Sequence, residues 1–340
     1  GRGHRIIIER GAGERSGFTD DEYRSACAVV AETLEHVWQE CELLVKVKEP
    51  APEELPFFRP GLAVFSFLHP AVAPAMVQAM IDNKVTGLDY DLVTVDGRFP
   101  ILEQMSIIAG KLSVQCGAYA LQSSSGGRGV LLGGAAGVKP ARVLVIGAGA
   151  AGSSAAKTAI GIGADTVIMD VNPKRLEQFA EGAYRARTEH CTPAAVKREA
   201  GEADLVIGAV LVPGALAPKL LTREILRGMK KRAVIVDICI DQGGFAETSR
   251  STTISQPIYI EEEIVHYCVP NMPALVPRTA TEALTSVTQK WIELLAGQGL
   301  EETLRTSDAM RAALIAYQGA LTNTVVGAAL GIPASEPNIP

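Results

Sequence analysis

Lys48 and His69 carry side chains that could do chemistry, and each follows a short apolar run. Residues 43–47 and 62–68 read as β-strands, so both side chains stand where a strand ends. Histidine titrates near neutrality and can move protons, and lysine can hold a carboxylate. In open α/β sheets ligands bind at the carboxyl ends of strands. The residues alone leave two interpretations open for each side chain. His69 could be a catalytic histidine or a turn residue before Pro70, and Lys48 could hold a substrate or be an ordinary surface lysine.

A dinucleotide-binding signature begins directly after the apolar strand at 142–146. Gly147 permits a tight turn, Gly149 lets the backbone approach a pyrophosphate, and Gly152 allows close helix–strand packing. The helix that starts here would offer free N–H groups to phosphates. A second strand, at 166–170, ends in Asp170, where a ribose-binding carboxylate is expected. Strand, glycines, helix and terminal acid together predict a dinucleotide cofactor.

The acid at position 170 favours NAD over NADP, because a carboxylate repels a 2′-phosphate. Lys174 and Arg175 follow closely and leave that preference open. These two residues could contact the cofactor, or they could form a solvated first helical turn.

The positioning elements alternate between strands and helices, which predicts an α/β fold with parallel sheets. A capping box, Thr19 to Glu22, opens an early helix. Residues 101–121 and 279–296 read as long helices, and the last forty residues read as mostly helical. Further strands are expected at residues 4–9, 204–208 and 232–238.

The composition excludes several classes of protein. A net charge of −6 over 340 residues, with no basic run, argues against a nucleic-acid partner. We expect no membrane segment, because charged residues and glycines interrupt the longest apolar stretch. The six cysteines form no CxxC pair, which is typical of reduced thiols in the cytoplasm.

Six stretches together resemble the bacterial alanine dehydrogenase family. They are residues 44–50, 65–69, 126–134, 203–214, 240–244 and 267–273, reading LVKVKEP, FSFLH, GGRGVLLGG, ADLVIGAVLVPG, IDQGG and YCVPNMP. The resemblance implies two Rossmann-like domains: a discontinuous substrate domain, 1–100 with 279–340, around an NAD-binding domain, 101–278. It implies NAD-dependent oxidative deamination of L-alanine to pyruvate and ammonium, the reverse reductive amination, and a homo-hexamer.

The resemblance also implies roles for individual residues. His69 and Asp241 fall on the family's catalytic positions, and Lys48 falls on the position that holds the substrate. Asp241 could instead cap the turn that follows it. Beyond the signature glycines, the implied cofactor positions are Ser106, Ala150, Ala151, Asp170, Arg175, Cys191, Val210, Leu211, Ile238, Cys239, Ile240, Asp241, Arg250, Val269, Pro270, Asn271 and Met272.

This sequence departs from the family pattern in places. Cys191 stands where a serine is usual, and Pro270 removes a backbone donor from its loop. We expect no metal, because Asp91 is one candidate ligand but its partner position holds Gln298 rather than histidine.

The family begins with a strand and an arginine-bearing loop, and we expect that segment to be missing from the sequence given. Two alternatives to the dehydrogenase stay open: a catalytically impaired NAD-binding paralogue and a transhydrogenase-type NAD-binding subunit. The loop at 126–134 argues against the transhydrogenase type.

Overall fold

A computed structural model of the chain describes residues 3–210 and 216–339. The described chain forms two units. The first contains residues 3–104 and 276–339, and the second contains residues 105–210 and 216–275. Both ends of the chain therefore build the first unit, and the middle of the chain builds the second.

Strands and helices are numbered in chain order. The strands are β1 (Ile7–Glu9), β2 (Val29–Ala31), β3 (Leu43–Val45), β4 (Ala63–Ser66), β5 (Thr86–Asp89), β6 (Arg142–Ile146), β7 (Asp165–Asp170), β8 (Arg187–His190), β9 (Leu205–Gly208), β10 (Val234–Asp237), β11 (Ile258–Glu261), β12 (Ile264–Tyr267), β13 (Leu314–Tyr317) and β14 (Ala320–Leu321). The helices are α1 (Asp20–Ser25), α2 (Leu34–Glu40), α3 (Pro74–Asp82), α4 (Pro100–Ala120), α5 (Ala150–Ile162), α6 (Pro173–Leu176), α7 (Pro193–Glu202), α8 (Arg223–Arg227), α9 (Pro277–Gln298), α10 (Leu300–Thr306), α11 (Asp308–Ala312) and α12 (Thr324–Leu330).

Among the described residues, the first unit holds a five-stranded sheet in the order β14-β13-β5-β4-β3, and β1 and β2 form a separate parallel pair. Strands β3, β4 and β5 are parallel neighbours, so their carboxyl ends meet at one edge. Strands β13 and β14 continue the sheet in antiparallel pairings. The predicted α/β class is confirmed. The sequence analysis did not anticipate the antiparallel strands β13 and β14 at the edge of this sheet.

The prediction that the last forty residues are mostly helical is wrong in part, because β13 and β14 lie between α11 and α12. The residues of β13 are buried beside β5. A short apolar run reads equally as a buried helix segment or a strand, so only its pairing decides. The turn between the two strands uses Gln318 and Gly319, both at positive φ, which suits a two-residue hairpin.

Helix α1 begins at the predicted capping box, which is confirmed. The Glu22 N–H donates to the Thr19 hydroxyl at 3.2 Å, and the Thr19 N–H donates to the Glu22 carboxylate at 2.7 Å. Two N–H groups that a helix start leaves without partners are thereby satisfied.

Within the described part of the second unit, seven strands form one sheet in the order β11-β12-β10-β9-β6-β7-β8. All neighbouring pairs are parallel except β11 with β12. The order reverses at β6, which pairs with β7 on one side and β9 on the other. Such a switch point opens the ligand crevice of a doubly wound sheet.

The sequence analysis missed the β11–β12 hairpin. Its turn places Glu262 and Glu263 at φ 49° and 59°, a left-handed conformation that glycine or asparagine usually supplies. Neither residue signals such a turn in the sequence.

Helices α4 and α9 confirm the two predicted long helices. Helix α4 packs closely on α5. The two helices approach so closely at Gly110 that a Cβ there would lie 2.1 Å from the Ala151 carbonyl oxygen. Among the described helices, none combines the length and apolarity that crossing a bilayer requires.

Candidate active site

The first unit gathers charged side chains at the shared carboxyl edge of β3, β4 and β5. Lys48 and Glu49 follow β3, His69 follows β4, and Asp91 follows β5. The parallel pairing of the three strands is what brings these distant sequence positions together. The predicted ligand edge therefore carries both Lys48 and His69.

His69 occupies a strained backbone conformation. Its φ is 44° and its ψ is 52°, in the left-handed region, directly before Pro70. A residue before proline normally prefers extended backbone, so this conformation costs about 1–3 kcal/mol and persists only where neighbours fix it. Strain of this kind clusters at functional sites. The side chain of His69 is largely buried and stacks beside the Phe67 ring at 6.1 Å.

The His69 ring lies between two carboxylates and an ammonium group. Its Nδ1 is 3.1 Å from Glu49 Oε2, and its Nε2 is 3.7 Å from Asp91 Oδ2. Lys48 Nζ lies 3.4 Å from His69 Nδ1 and 3.3 Å from Glu49 Oε2. Each ring nitrogen therefore faces a carboxylate that stabilises a proton on that nitrogen, and Lys48 supplies a fixed positive charge.

These contacts move two pKa values in opposite directions. Burial opposes the charged imidazole, but the hydrogen bond to Glu49 and the charge of Asp91 outweigh it and raise the pKa of His69. Burial alone would raise the pKa of Glu49, but the hydrogen bond from His69 and the Lys48 charge lower it to about 2. An ionised Glu49 thus favours a protonated His69 near neutral pH.

Sequence analysis did not assign a role to Glu49 beside His69. The sequence gives only a weak indication that Glu49 has a role, because nothing marks this residue beyond its position after Lys48. Asp91 was considered only as a metal ligand, because β5 was not recognised as a strand. Among the described residues, no group of three or more His, Cys, Asp or Glu side chains could hold a metal ion.

The second unit gathers most of the expected cofactor positions at the carboxyl edge of its sheet. Val210 follows β9, the loop 238–241 follows β10, and the loop 269–272 follows β12. Asp170 ends β7, and the N–H of Cys191, next after β8, donates to the Asp170 carbonyl at 3.0 Å. Leu211 lies outside the described residues.

The glycine loop has the geometry that its sequence predicts. Gly147 has a φ of 101°, and a Cβ there would lie 2.3 Å from the Ala209 carbonyl oxygen. A Cβ on Gly152 would lie 1.7 Å from the Gly147 carbonyl oxygen. A Cβ on Gly149 would meet nothing within 4 Å, so the backbone at this position is open to a ligand. Ala150 and Ala151 begin α5 immediately afterwards.

Replacing Gly152 with alanine should destabilise the protein by about 1–3 kcal/mol and weaken dinucleotide binding, because backbone must move to admit the methyl group. Gly161 is the matched control, since it lies on the same helix and a Cβ there meets nothing within 4 Å. Gly161→Ala should stabilise by about 0.5–1 kcal/mol. Denaturant unfolding and NADH fluorescence titration measure both effects. Equal stability of the two variants would contradict the packing argument.

Asp170 is a buried carboxylate tied to the glycine loop. Its Oδ2 accepts the Ala148 N–H at 2.6 Å, and its Oδ1 accepts the Asn172 N–H at 2.7 Å. The guanidinium of Arg175 lies 3.6 Å from Oδ2. A carboxylate oxygen has two lone pairs, so Asp170 retains capacity to accept bonds from ribose hydroxyls.

The loops after β9, β10 and β12 are joined by hydrogen bonds. The Val210 N–H donates to Cys239 Sγ at 3.2 Å, and the Asn271 N–H donates to Asp241 Oδ2 at 2.9 Å. Asn271 has a φ of 51°, a left-handed conformation that asparagine adopts readily. The thiol of buried Cys239 therefore links the loop after β10 to the loop after β9.

Arg250 is held by an aromatic stack. Its guanidinium carbon lies 3.7 Å from the centroid of the Tyr259 ring, which stacks in turn on buried His266 at 4.7 Å. The Tyr259 hydroxyl accepts the Arg250 N–H at 3.0 Å. Ser106 lies half-buried on α4.

The residues present fit a dinucleotide cofactor. The open backbone at Gly149, the start of the thirteen-residue helix α5 and the acid at the end of β7 supply the space, the N–H donors and the acceptor that such a molecule needs. They define the class: a protein whose second unit is built to bind a dinucleotide cofactor.

Comparison with known proteins specifies the family. The model for "Alanine dehydrogenase/PNT, N-terminal domain" matches residues 1–109, and that for the C-terminal domain matches residues 113–324. The chain therefore belongs to the alanine dehydrogenase/PNT family.

Individual relatives agree with that assignment. The alanine dehydrogenase of Mycobacterium tuberculosis (strain ATCC 25618 / H37Rv) is 45% identical over 99% of this chain and 91% of that protein. A solved L-alanine dehydrogenase is 41% identical, with a TM-score of 0.88 over 97% of this chain and 91% of that one. A transhydrogenase from Sinorhizobium meliloti is 25% identical, with a TM-score of 0.75 over 94% of this chain and 90% of that one.

Proposed function

We propose that this chain catalyses the NAD-dependent oxidative deamination of L-alanine to pyruvate and ammonium, together with the reverse reductive amination. The observation that carries the proposal is the grouping of Lys48, Glu49 and His69 at one sheet edge. In this proposal the first unit holds the substrate. The second unit holds NAD through the glycine loop, Asp170 and the loops after β9, β10 and β12.

Each charged side chain has a task that the substrate's chemistry requires. Lys48 neutralises the substrate carboxylate and polarises the keto oxygen of pyruvate. Protonated His69 donates a proton to that oxygen during reductive amination, and neutral His69 takes one from water during deamination. Asp241 attracts the ammonium ion and stabilises positive charge at the imine nitrogen. Bound NAD supplies the acceptor for the hydride that leaves the alanine Cα.

Product identity tests the proposal. Incubation with isotopically labelled pyruvate, ammonium and NADH should yield labelled alanine, detected by NMR. Glyoxylate and 2-oxobutyrate in place of pyruvate measure how narrow the substrate preference is. NADH binding without any product would instead support a non-catalytic paralogue.

A transhydrogenase-type subunit is the weaker alternative. The relative of that kind is 25% identical, whereas the Mycobacterium tuberculosis alanine dehydrogenase is 45% identical. The dehydrogenase reaction needs no membrane partner, so turnover by the purified chain alone would decide between the two. We further propose that the protein is cytoplasmic and that it forms a homo-hexamer. Light scattering can test the oligomeric state.

Replacing Asp170 with serine should lower the preference for NADH over NADPH at least about tenfold, because the charge that repels a 2′-phosphate is removed. The ratio of kcat/KM values for the two cofactors measures the effect. Asp165→Ser is the matched control, since Asp165 is exposed at the opposite end of the same strand. An unchanged ratio in Asp170→Ser would show that this carboxylate does not face the ribose.

A further inference from the structure

A buried carboxyl group outside the expected site is hydrogen-bonded to the residue that precedes His69. Asp89 is the last residue of β5, is 2% exposed, and sits opposite Ser66 of β4. Its Oδ1 accepts the Leu68 N–H at 3.2 Å and the Asp91 N–H at 3.0 Å. One oxygen atom therefore ties the end of β4 to the end of β5.

The two segments tied together are those that present His69 and its acidic neighbour. Leu68 immediately precedes His69, whose left-handed backbone needs neighbours to fix it. Asp91 places its carboxylate 3.7 Å from His69 Nε2. Loss of the Asp89 oxygen would leave two backbone N–H groups without their acceptor and would release both segments.

Burying a carboxyl group is costly unless it is hydrogen-bonded. Burial and the charge of Asp91 raise the pKa of Asp89, whereas the charge of His69 lowers it. An asparagine would offer a similar acceptor oxygen without the charge. The substitution Asp89→Asn therefore separates the hydrogen-bonding role from the electrostatic one.

We propose that Asp89 is a positioning residue, which holds the peptide before His69 and the loop of Asp91 so that the imidazole is fixed between Glu49 and Asp91. The proposal rests on the proposed function of His69. It assigns to Asp89 no contact with substrate or cofactor.

The kinetic test compares Asp89→Ala with Asp89→Asn. Asp89→Ala should lower kcat for the reductive amination of pyruvate about 100-fold, because a displacement of about 1 Å suffices for such a loss. KM for NADH should stay unchanged. Asp89→Asn should stay within about fivefold of the wild type, the equivalent of one ordinary hydrogen bond. Thr86→Val, a buried substitution at the other end of β5, should leave kcat unchanged.

An unchanged kcat in Asp89→Ala would overturn the proposal. An equal loss in Asp89→Asn and Asp89→Ala would also overturn it, because the charge rather than the acceptor would then be required. Circular dichroism and NADH titration establish that each variant is folded.

A second readout does not depend on turnover. The charged groups facing His69 are Glu49, Asp91, Lys48 and Asp89. NMR titration of the imidazole should give a lower pKa in Asp89→Ala than in Asp89→Asn, because a released ring loses the two acids that raise it. Should the wild type convert no pyruvate to alanine, the proposed function fails, and this titration still decides for or against Asp89. Equal imidazole pKa values in the two variants would contradict the positioning role.

Discussion

Replacing His69 with alanine is expected to lower kcat for the reductive amination of pyruvate about 10³-fold, within the range of general acid–base catalysis. The variant removes the group that we propose to deliver a proton to the keto oxygen. NADH affinity should stay unchanged, because the residues proposed to bind the cofactor lie in the other unit. Steady-state kinetics and fluorescence titration measure the two quantities separately.

The matched control is His36→Ala, which replaces an exposed histidine of the same unit. It should leave kcat and KM unchanged. A His69→Ala variant as active as the control would show that the reaction does not use this histidine.

The protonation of His69 also determines how kcat/KM for pyruvate should change with pH. Contacts with Glu49 and Asp91 raise the pKa of His69 above its ordinary value of about 6.5 despite its burial. The protonated form therefore persists to higher pH, and kcat/KM for pyruvate should fall as the pH rises through that elevated pKa. The same limb should be absent from His69→Ala.

Replacing Lys48 with methionine is expected to raise KM for pyruvate by about 30-fold to 5,000-fold, since losing the charged partner of a bound carboxylate costs about 2–5 kcal/mol. Methionine keeps much of the apolar stem, so the change is mainly one of charge. Lys48 also lowers the pKa of His69, so the pH limb should move upwards.

Lys290→Met provides the control, because Lys290 is an exposed lysine of the same unit whose Nζ lies 4.4 Å from the Trp291 ring. Its KM for pyruvate should equal that of the wild type. An equally small effect of Lys48→Met would mean that another cation holds the carboxylate.

Sequence alone predicted the conformation of the glycine loop, because two of its main requirements are local. The positive φ of Gly147 and the contact of Gly152 with the Gly147 carbonyl involve residues within one short stretch of chain, whereas the approach of Gly147 to the Ala209 carbonyl depends on the fold. Asp170 could be predicted equally well, because the three residues of β7 that precede this terminal acid, 167–169, are buried and apolar. The same reasoning placed Lys48 and His69 at strand ends.

The charged surroundings of His69 could not be predicted in this way. They depend on β5 pairing in parallel with β4, and β5 is a four-residue strand, Thr-Gly-Leu-Asp, with no alternation to reveal it. Without that strand, Asp89 and Asp91 have no defined relation to His69. The strands near the C-terminus were missed for the same reason, because β13 is defined by its partner β5.

The most direct test of the central claim follows NADH absorbance after the purified protein is mixed with pyruvate and ammonium. We predict that NADH is consumed only when both substrates are present, that alanine accumulates in equal amount, and that His69→Ala slows both changes about 10³-fold. If the wild-type protein binds NADH yet consumes none with pyruvate, glyoxylate or 2-oxobutyrate, the catalytic assignment of the Lys48, Glu49 and His69 cluster is wrong.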